Sequence, residues 1–555
     1  MSFLEVKNLS IRFDQNTVLK NVSFSLKKKQ ILGLVGESGS GKSLTSYAIT
    51  GLLPKSAIID TGEIIFKGED LLKKTSKELR PLLGKEIAMI FQEPMTSLNP
   101  SLTCGEQVLE AILLHENITK TNAKQKVIKL FEQVLLPTPE RIFKSYPHQL
   151  SGGQKQRVMI AMALSCNPSL LIADEPTTAL DVTVQKEILS LLKKLQQERD
   201  MSVIFISHDL GVIKELCDDV IVLFKGNIVE KNTVENIFSN PESDYTKGLI
   251  ACRPKIDIRL KKLPTVTDFI EKTDFVEEIE SVQERKSYQE ELYKQTPLLE
   301  IKNLKKYYPI ETSIFGEKKY FRAVDNVNFK IYSGETVGLV GESGCGKTTL
   351  SRTILQLQEA TEGEIFYKGE DLTQLSKKRL QELRKEIQII FQDPYSSLNP
   401  KKTIGQIIME PMRVHKIGSN EKERKEKALY FLKRVGLLEE HLNRYPHEFS
   451  GGQRQRIGIA RVLALNPEFI ICDESVSALD VSVQAQVLNL LNELKQEFGF
   501  TYLFISHDLS VVKYMSNQLL VMNKGKFEET GDADEIYAHP FKKYTQRLIN
   551  AIPKL

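Results

Sequence analysis

The chain has 555 residues, too many for one hydrophobic core, and its apolar content of 41% is ordinary for compact domains. Its 76 basic and 72 acidic residues leave a net charge of +4, which excludes a strongly electrostatic partner as its main purpose but leaves local basic patches open. The six cysteines are scattered without a C-x-x-C pair, which favours a reducing compartment over a disulfide framework or a zinc site.

The amino-terminal segment "MSFLEVKNLS" lacks the basic start and long apolar stretch of a secretory signal. Apolar runs such as "VIVLF" at residues 220–224 have the length of a strand, whereas a membrane span needs about 20 apolar residues. We therefore expect a cytosolic chain, in which any membrane role requires partner subunits.

A candidate phosphate-binding loop, "GESGSGKS", follows the apolar run "ILGLVG" and fits G-x-x-x-x-G-K-[S/T]. Gly36, Gly39 and Gly41 let backbone N–H groups turn toward phosphate oxygens. Lys42 supplies a cation for the phosphates, and Ser43 opens a helix and offers a hydroxyl to Mg²⁺. The alternative is a chance match in a glycine-containing loop.

Three further segments follow along the chain. "LSGGQ" at residues 150–154 is typical of a helix cap that exposes N–H groups to an anion, although an ordinary cap is the alternative. Asp174 and Glu175 end an apolar strand, so one carboxylate can order a Mg²⁺ shell while the other polarises water; a solvated turn is the alternative. His208 follows the strand "VIFIS", where a lone histidine is more often structural.

The same motifs recur in the same order in the second half of the chain, at an offset of 299 to 305 residues. A period this long indicates a duplicated domain of about 250 residues rather than a solenoid. The counterparts of the loop, the acidic pair and the histidine are Gly341, Gly344, Gly346, Lys347, Thr348, Asp473, Glu474 and His507.

Three regions are predicted: a first domain at residues 1–253, a charged linker at 254–297 and a second domain at 298–555. The linker segment "VEEIESVQERKSYQEELYKQ" has no Gly or Pro and indicates a solvated linker or surface helix. Within each domain, alternating apolar strands and helical patterns predict an α/β fold with a mainly parallel sheet and ligands at the carboxyl ends of its strands.

Together these motifs resemble those of the nucleotide-binding subunits of ATP-binding-cassette (ABC) transporters, over nearly all of both halves. The resemblance implies two tandem P-loop domains, each with a RecA-like parallel-sheet core, an antiparallel β part and a helical subdomain, and it implies ATP and Mg²⁺ as ligands. Gln92 and Gln392 match the family's Q-loop, which contacts Mg²⁺ and senses the membrane subunit.

The resemblance also implies a role for each remaining motif. Glu175 and Glu474 match the catalytic glutamate, and His208 and His507 match the switch histidine. Asp181 and Asp480 match the D-loop, while Phe13 and Tyr308 fall where the family stacks an aromatic ring on adenine. The implied Mg²⁺ ligands are Ser43, Gln92, Asp174, Thr348, Gln392 and Asp473. The full implied nucleotide-binding set is Phe13, Gly36, Ser38, Gly39, Gly41, Lys42, Ser43, Gln92, Ser151, Gly153, Gln154, Asp174 and Asp181 in the first half, and Tyr308, Gly341, Ser343, Gly344, Gly346, Lys347, Thr348, Gln392, Ser450, Gly452, Gln453, Asp473 and Asp480 in the second.

In this family, two cassettes pair head to tail and sandwich each ATP between the phosphate loop of one and the SGGQ helix of the other. The resemblance thus implies that the two halves pair within the chain. One site would combine Lys42 with Ser450, Gly452 and Gln453, and the other would combine Lys347 with Ser151, Gly153 and Gln154. The lysine, glutamate and histidine are intact in both halves, so we expect both sites to hydrolyse ATP.

Finer features are similar to the ATPases of oligopeptide, dipeptide and nickel importers, and fusion of two such ATPases resembles the glutathione and microcin C/peptide type. They are "DPYSSLNP", the extra segment at residues 309–327, and the terminal segments "SDYTKGLIACRP" and "HPFKKYTQRLINAIP". This implies an energy-coupling ATPase at the cytoplasmic face of the inner membrane, with two permeases, an extracytoplasmic solute-binding protein and no nucleic acid. Two departures are Ser475–Val476 in place of Pro176–Thr177, and Phe13, which has no ring hydroxyl.

Two alternatives remain open. A soluble tandem cassette that acts on the ribosome, like the ABC-F translation factors, is disfavoured by the mixed charge of the linker and by the "DPYSSLNP" segment. The energy subunit of an efflux pump would use the same catalytic chemistry, and only the subfamily resemblance disfavours it.

Overall fold

The computed structural model describes residues 3–92, 97–177, 180–310, 319–477 and 479–553, apart from the side chains of residues 394 and 396. Residues 311–318 of the extra importer-like segment lie outside them. Contacts divide the chain into two units: residues 1–250 with 266–273 and 553–555, and residues 251–265 with 274–552. Residues 266–273 of the predicted linker thus belong to the first unit, and the rest of the linker belongs to the second. The domain limits drawn from the sequence remain a prediction.

The first unit contains two sheets. One is antiparallel with the order β2-β1-β4-β5, and the other has the order β10-β9-β3-β8-β7-β6 and is parallel except for the β9–β10 pair. Its strands are β1 (Leu4–Phe13), β2 (Asn16–Leu26), β3 (Ile31–Val35), β4 (Ala57–Phe66), β5 (Glu69–Asp70), β6 (Ile87–Ile90), β7 (Leu170–Asp174), β8 (Ser202–Ile206), β9 (Asp219–Phe224) and β10 (Asn227–Thr233).

The helices of this part of the chain are interspersed with the strands. Four of the described helices follow one another between β6 and β7 in the sequence. The whole set is α1 (Lys42–Thr50), α2 (Ser76–Leu79), α3 (Cys104–His115), α4 (Lys120–Gln133), α5 (Pro139–Lys144), α6 (Gly152–Ala163), α7 (Val182–Glu198), α8 (Leu210–Leu216), α9 (Val234–Ser239), α10 (Asp244–Ala251) and α11 (Val266–Ile270). The hydrophobic core joins both sheets through residues such as Leu9, Leu34, Ile172 and Ile206.

The second unit repeats this plan, with sheet orders β12-β11-β14-β15 and β16-β17-β18-β13-β19-β20. Its strands are β11 (Leu299–Ile310), β12 (Lys319–Ile331), β13 (Thr336–Val340), β14 (Glu362–Tyr367), β15 (Glu370–Asp371), β16 (Ile387–Ile390), β17 (Phe469–Asp473), β18 (Thr501–Ile505), β19 (Gln518–Asn523) and β20 (Lys526–Asp532). Its helices are α12 (Val282–Leu292), α13 (Lys347–Ile354), α14 (Lys377–Leu383), α15 (Pro394–Ser397), α16 (Ile404–Val414), α17 (Glu421–Arg434), α18 (Gly451–Leu463), α19 (Val481–Phe498), α20 (Leu509–Met515), α21 (Ala533–Ala538) and α22 (Lys543–Asn550).

The central strands explain why the motifs follow apolar runs. β3, β7 and β8 are buried along their whole lengths, since helices cover both faces of a parallel sheet. β8 pairs in parallel with β3 on one side and with β7 on the other, so the segments that follow these three strands leave the same edge of the sheet. This arrangement confirms the predicted α/β fold with a mainly parallel core.

The charged segment before β11 packs against the second unit through buried polar side chains. Arg285 of α12 is buried and donates to the backbone carbonyls of Ser516 at 2.8 Å and Asn517 at 3.0 Å, and it also bonds Asp534. Gln289, one helical turn later, donates to Asp532 at 2.8 Å. The segment is therefore anchored by specific hydrogen bonds, beyond the solvated helix that its composition indicates.

Replacing Arg285 with Ala should destabilise the second unit. The change leaves two backbone carbonyls and the carboxylate of Asp534 without this donor, and hydrogen bonds to charged groups contribute about 1.5–3 kcal/mol. We expect a loss of about 2 kcal/mol, measured as a lower urea midpoint with an unchanged slope. The matched control is Lys286→Ala on the exposed face of the same helix, and an equal effect of both changes would contradict the anchoring role.

Among the residues that the structure describes, no helix is both long enough and apolar enough to cross a membrane.

Candidate functional site

The first phosphate loop lies between buried strand β3 and helix α1, as its sequence predicts. Gly36 needs to lack a side chain, because a Cβ on it would lie 2.2 Å from the carbonyl oxygen of Leu223. A Cβ on Gly39 would meet nothing within 4 Å, so the backbone at the top of the loop is open to a ligand. Ser38 is exposed at this open part of the loop.

Lys42 begins α1 and lies folded back over the loop. Its side chain is buried, and its Nζ donates to the carbonyl oxygens of Gly36 at 2.8 Å and Glu37 at 2.9 Å. A buried cation whose Nζ bonds neutral carbonyls attracts an anion strongly in a medium of low dielectric, and the same charge also acts on the nearby carboxyl of Asp174. The loop thus combines open N–H groups with a positive charge, which fits the phosphates of a nucleotide.

The acidic pair ends strand β7 beside this loop. Ser43 Oγ lies 3.3 Å from Asp174 Oδ1, which brings two of the three predicted Mg²⁺ ligands of the first half into direct contact. Burial and the neighbouring Glu175 raise the pKa of Asp174 to about 6. A buried carboxylate with such a raised pKa gains most from a nearby cation, so this donor set fits Mg²⁺, which prefers oxygen ligands.

Glu175 has a left-handed backbone conformation, with φ at 47°. Glu474 has the same conformation, with φ at 49°, so Ser475–Val476 in place of Pro176–Thr177 does not alter this angle. Such a conformation costs about 1–3 kcal/mol in a residue other than glycine and persists at functional sites when neighbouring bonds hold it. Here the N–H of Glu175 donates to Ile206 at 3.0 Å, and that of Glu474 donates to Ile505 at 2.9 Å.

The two other motif side chains of the first half contact Glu175 directly. Gln92 Nε2 donates to Glu175 Oε2 at 3.0 Å, and His208 Nδ1 lies 3.1 Å from the same oxygen. The structure therefore joins three residues that are far apart in sequence into one cluster beside Asp174. A single carboxylate held from two sides has a fixed orientation, which suits it to position a water molecule.

The second half repeats the contacts of the lysine, the glutamine and the histidine. Lys347 Nζ donates to the carbonyl oxygens of Gly341 at 2.6 Å and Glu342 at 3.2 Å. Gln392 Nε2 donates to Glu474 Oε2 at 2.7 Å, and His507 Nδ1 lies 3.5 Å from that oxygen. Gly344 leaves the same open space as Gly39, and Ser343 and Thr348 are exposed beside it.

The electrostatics of the second cluster follow from its burial. Burial and the charge of Glu474 raise the pKa of Asp473 to about 6. Burial opposes protonation of His507, but the hydrogen bond and charge of Glu474 outweigh it and raise the pKa of His507. The acidic pair and the histidine thus form one electrostatic unit in this half.

The SGGQ motifs begin helices α6 and α18. The N–H of Gln154 donates to Ser151 Oγ at 3.3 Å, and the N–H of Ser151 donates to Gln154 Oε1 at 3.1 Å, which forms a capping box. Ser450 and Gln453 form the same box at 3.3 and 3.0 Å. The predicted helix caps are therefore present in both halves.

The second glycine of each SGGQ motif lies against the helix that follows the acidic turn. A Cβ on Gly153 would lie 2.8 Å from Val184 Cγ1, and one on Gly452 would lie 2.4 Å from Val483 Cγ1. Asp181 and Asp480 occupy the N-cap positions of those helices, α7 and α19. Within each half, the SGGQ and D-loop segments are thus neighbours.

Replacing Ser151 with Ala should destabilise the ligand-free first unit by about 1 kcal/mol, since an N-cap hydroxyl contributes about that much. For a unit of this size we expect a fall of about 2–4 °C in the melting temperature. Ser190→Ala is the matched control, because Ser190 is exposed within α7 and its hydroxyl donates only to the carbonyl of Lys186. A melting temperature of the Ser151 variant equal to that of the control would contradict the capping role.

The two predicted adenine-stacking residues lie in the antiparallel sheets. Phe13 ends β1 and pairs with Asn16 of β2, whose Leu19 packs against Gly41 of the phosphate loop. Tyr308 lies in β11, and its hydroxyl donates to Gln358 Oε1 at 2.6 Å. Phe13 and Tyr308 thus lie near the carboxyl ends of β1 and β11, which are inner strands of the antiparallel sheets, and their role in binding a base stays a prediction.

Two family models match the chain. A model described as "ABC transporter" matches residues 19–178 and 324–477, more than half of the chain. A second model, "Oligopeptide/dipeptide transporter, C-terminal region", matches residues 229–272 and 529–555. Each half therefore carries both family segments in the same order, which confirms the resemblance stated from the motifs.

Curated relatives match almost the whole chain. The glutathione import ATP-binding protein GsiA of Pectobacterium atrosepticum is 45% identical over 562 residues, covering 99% of this chain and 89% of its own length. The protein of the same name from Escherichia coli O157:H7 is 46% identical over 561 residues, with the same coverage. A solved dimer of the ATP-binding cassette MJ0796, bound to ADP and Pi, is 32% identical with a TM-score of 0.39, covering 42% of this chain and 98% of that one. The chain therefore belongs to the ABC transporter family and is an ATPase with two ATP-binding cassettes.

Proposed function

We propose that this chain is the energy-coupling ATPase of a membrane importer for oligopeptides, dipeptides or small peptides such as glutathione. The observation that carries the proposal is the match of the oligopeptide/dipeptide transporter segment behind both cassettes, at residues 229–272 and 529–555. The curated relatives that span the whole chain are named for glutathione import, which supports the same class of cargo.

The contacts within each half support a division of labour for hydrolysis. Lys42 would turn from the loop carbonyls to the β- and γ-phosphates, where its charge is better compensated. Glu175 would orient and polarise the attacking water, with Gln92 and His208 fixing its carboxylate. Lys347, Glu474, Gln392 and His507 have the same roles in the second half.

Ser43, Asp174 and Gln92 would hold Mg²⁺ in the first half, and Thr348, Asp473 and Gln392 would hold it in the second. Bound Mg²⁺ neutralises charge that develops on the phosphate oxygens. The buried carboxylates whose pKa is raised to about 6, Asp174 and Asp473, provide the negative charge that this ion requires.

The proposal includes the partners that the family implies. We propose two transmembrane permeases and an extracytoplasmic solute-binding protein, with the chain bound to the cytoplasmic side of the membrane. We also propose that the two halves pair within the chain, as paired cassettes do in this family. Closure on ATP and reopening after hydrolysis would then move the permeases between two access states.

Transport is tested by uptake. Cells that lack the gene would be supplied with wild-type chain or with the Glu175→Gln/Glu474→Gln variant, and uptake of radiolabelled glutathione and of a dipeptide would be measured. We expect uptake with the wild type only, and co-purification of the chain with two permeases. Co-sedimentation with ribosomes instead of membranes would favour the ABC-F alternative, and faster loss of preloaded label would favour efflux.

A further inference from the structure

The carboxyl-terminal region of the first half contacts its phosphate loop. The N–H of Glu37, the second residue of the loop, donates to the hydroxyl oxygen of Tyr245 at 3.1 Å. Tyr245 lies in α10, well beyond the cassette motifs, and it is 3% exposed. The carbonyl of the same Glu37 accepts the Lys42 bond, so the Glu37 residue is held at both its N–H and its C=O.

The second half makes the same contact. The N–H of Glu342 donates to the hydroxyl oxygen of Tyr544 at 3.0 Å, and Tyr544 of α22 is 6% exposed. The rings themselves are packed differently: Tyr245 stacks on Phe224 at 4.1 Å between centroids, whereas Arg547 lies 5.7 Å from the ring of Tyr544. Both halves therefore have the same bond from the loop to the tyrosine hydroxyl, although the neighbours of the two rings differ.

A carboxylate fixes the start of each tyrosine-bearing helix. In the first half, Glu230 of β10 accepts the N–H groups of Glu242 at 2.9 Å and Ser243 at 3.0 Å, immediately before α10. A carboxylate that accepts two backbone N–H groups holds that turn firmly. Tyr245 follows two residues later, so its position is fixed relative to the parallel sheet.

The second half uses the same device. Glu529 of β20 accepts the N–H groups of Phe541 at 2.9 Å and Lys542 at 3.1 Å, and Tyr544 again follows two residues later. Both helices lie within the segments that match the oligopeptide/dipeptide transporter C-terminal region. Each such segment thus connects strand, helix and phosphate loop within its own half.

We propose that Tyr245 and Tyr544 are positioning residues for nucleotide binding, through which each carboxyl-terminal segment keeps the phosphate loop of its own half in the open, ligand-ready conformation. When Lys42 or Lys347 turns toward a phosphate, the bonds that it makes to the loop carbonyls are lost or weakened. The tyrosine bond does not involve the lysine and remains. A phosphate loop without the tyrosine bond also adopts other conformations. The apparent affinity for ATP then falls in proportion to the fraction of loops that keep the ligand-ready conformation.

The test compares tyrosine-to-phenylalanine variants in the full chain, since this change removes the hydroxyl and leaves the ring packed. A fluorescent ATP analogue is titrated into wild type, Tyr245→Phe, Tyr544→Phe and the double variant, and steady-state ATPase kinetics are recorded. We expect the double variant to raise Kd and KM about 3- to 10-fold, with kcat at saturating ATP changed less than about twofold, as loss of one hydrogen bond predicts. Each single variant should weaken one class of site only.

Tyr537→Phe is the matched control. Tyr537 is buried, and its hydroxyl donates to the backbone carbonyl of Leu509, away from the phosphate loop. The corresponding position in the first half is Phe238, so the fold accommodates the change. This control should lower the melting temperature and leave Kd unchanged.

Two results would overturn the proposal: a Kd of the double variant within about twofold of that of Tyr537→Phe, or a lowered kcat with unchanged Kd. Both measurements concern nucleotide binding and hydrolysis by the isolated chain. The outcome therefore does not depend on the cargo or the direction of transport, and failure of the import proposal would be seen separately in the uptake experiment.

Discussion

Replacing both Glu175 and Glu474 with Gln is expected to lower the ATPase kcat by at least about 100-fold, the usual contribution of a positioned general base. The amide keeps the size of the side chain and can still bond Gln92 and His208, but it cannot polarise the attacking water as a carboxylate does. Affinity for ATP should be unchanged, because the loop N–H groups and the lysine are the proposed phosphate ligands and both remain in these variants. The measurement is steady-state phosphate release with a parallel titration of ATP.

The single variants decide whether both halves turn over. We expect Glu175→Gln and Glu474→Gln each to slow hydrolysis, since each half holds its own cluster of glutamine, histidine and carboxylate. Glu198→Gln is the control, because Glu198 lies at the end of α7 in an exposed pair with Lys194. Slowing by only one of the two catalytic changes would show that one cassette is inactive.

Replacing Lys42 or Lys347 with Met should weaken ATP binding at that site by at least about 100-fold. Each lysine would make charge-assisted bonds to two phosphates, and such bonds contribute about 1.5–3 kcal/mol each. Methionine keeps an apolar stem of similar length in the buried position, so the fold should persist. Equilibrium titration of each variant with ATP gives the change in Kd.

The control for this experiment is Lys77→Met, at an exposed position of α2 outside the phosphate loop. It carries the same loss of charge and should leave Kd unchanged. A Kd for either loop variant equal to that of the control would contradict the role of its lysine.

Much of the architecture could be predicted from local patterns. Strands β3, β7 and β8 are fully buried and therefore appear as unbroken apolar runs, and the glycines of the loop are required by close backbone approach, as at Gly36 and Leu223. The capping boxes at Ser151 and Ser450 were likewise predictable, because a cap depends on residues only three positions apart.

Contacts between distant segments could not be predicted in this way. The positive φ of Glu175 and Glu474 depends on bonds to Ile206 and Ile505 on the neighbouring strands, which no local pattern reveals. The bond of Tyr245 to Glu37 joins residues more than 200 positions apart. The order of the motifs predicts which strand or helix each residue follows. The contacts of Glu175, Glu474 and Tyr245 form only when the sheet has folded.

The linker helix α12 has buried residues at helical spacing, a pattern that its charged composition does not indicate. Its buried residues Arg285, Gln289 and Leu292 are spaced by four and three positions, the spacing of one face of a helix. Two of the three are polar, and the high charge of the segment, without Gly or Pro, indicates a solvated linker or surface helix. Periodicity that counts long polar side chains together with apolar ones indicates the packed face.

The central claim is that each half of the chain holds a complete nucleotide site, and counting bound ATP tests it most directly. The Glu175→Gln/Glu474→Gln variant would be equilibrated with radiolabelled ATP and Mg²⁺, separated rapidly from free nucleotide, and assayed for bound label. Two ATP molecules per chain are predicted, falling to one when either Lys42→Met or Lys347→Met is added. A stoichiometry of one or none in the variant with both lysines intact would contradict the account.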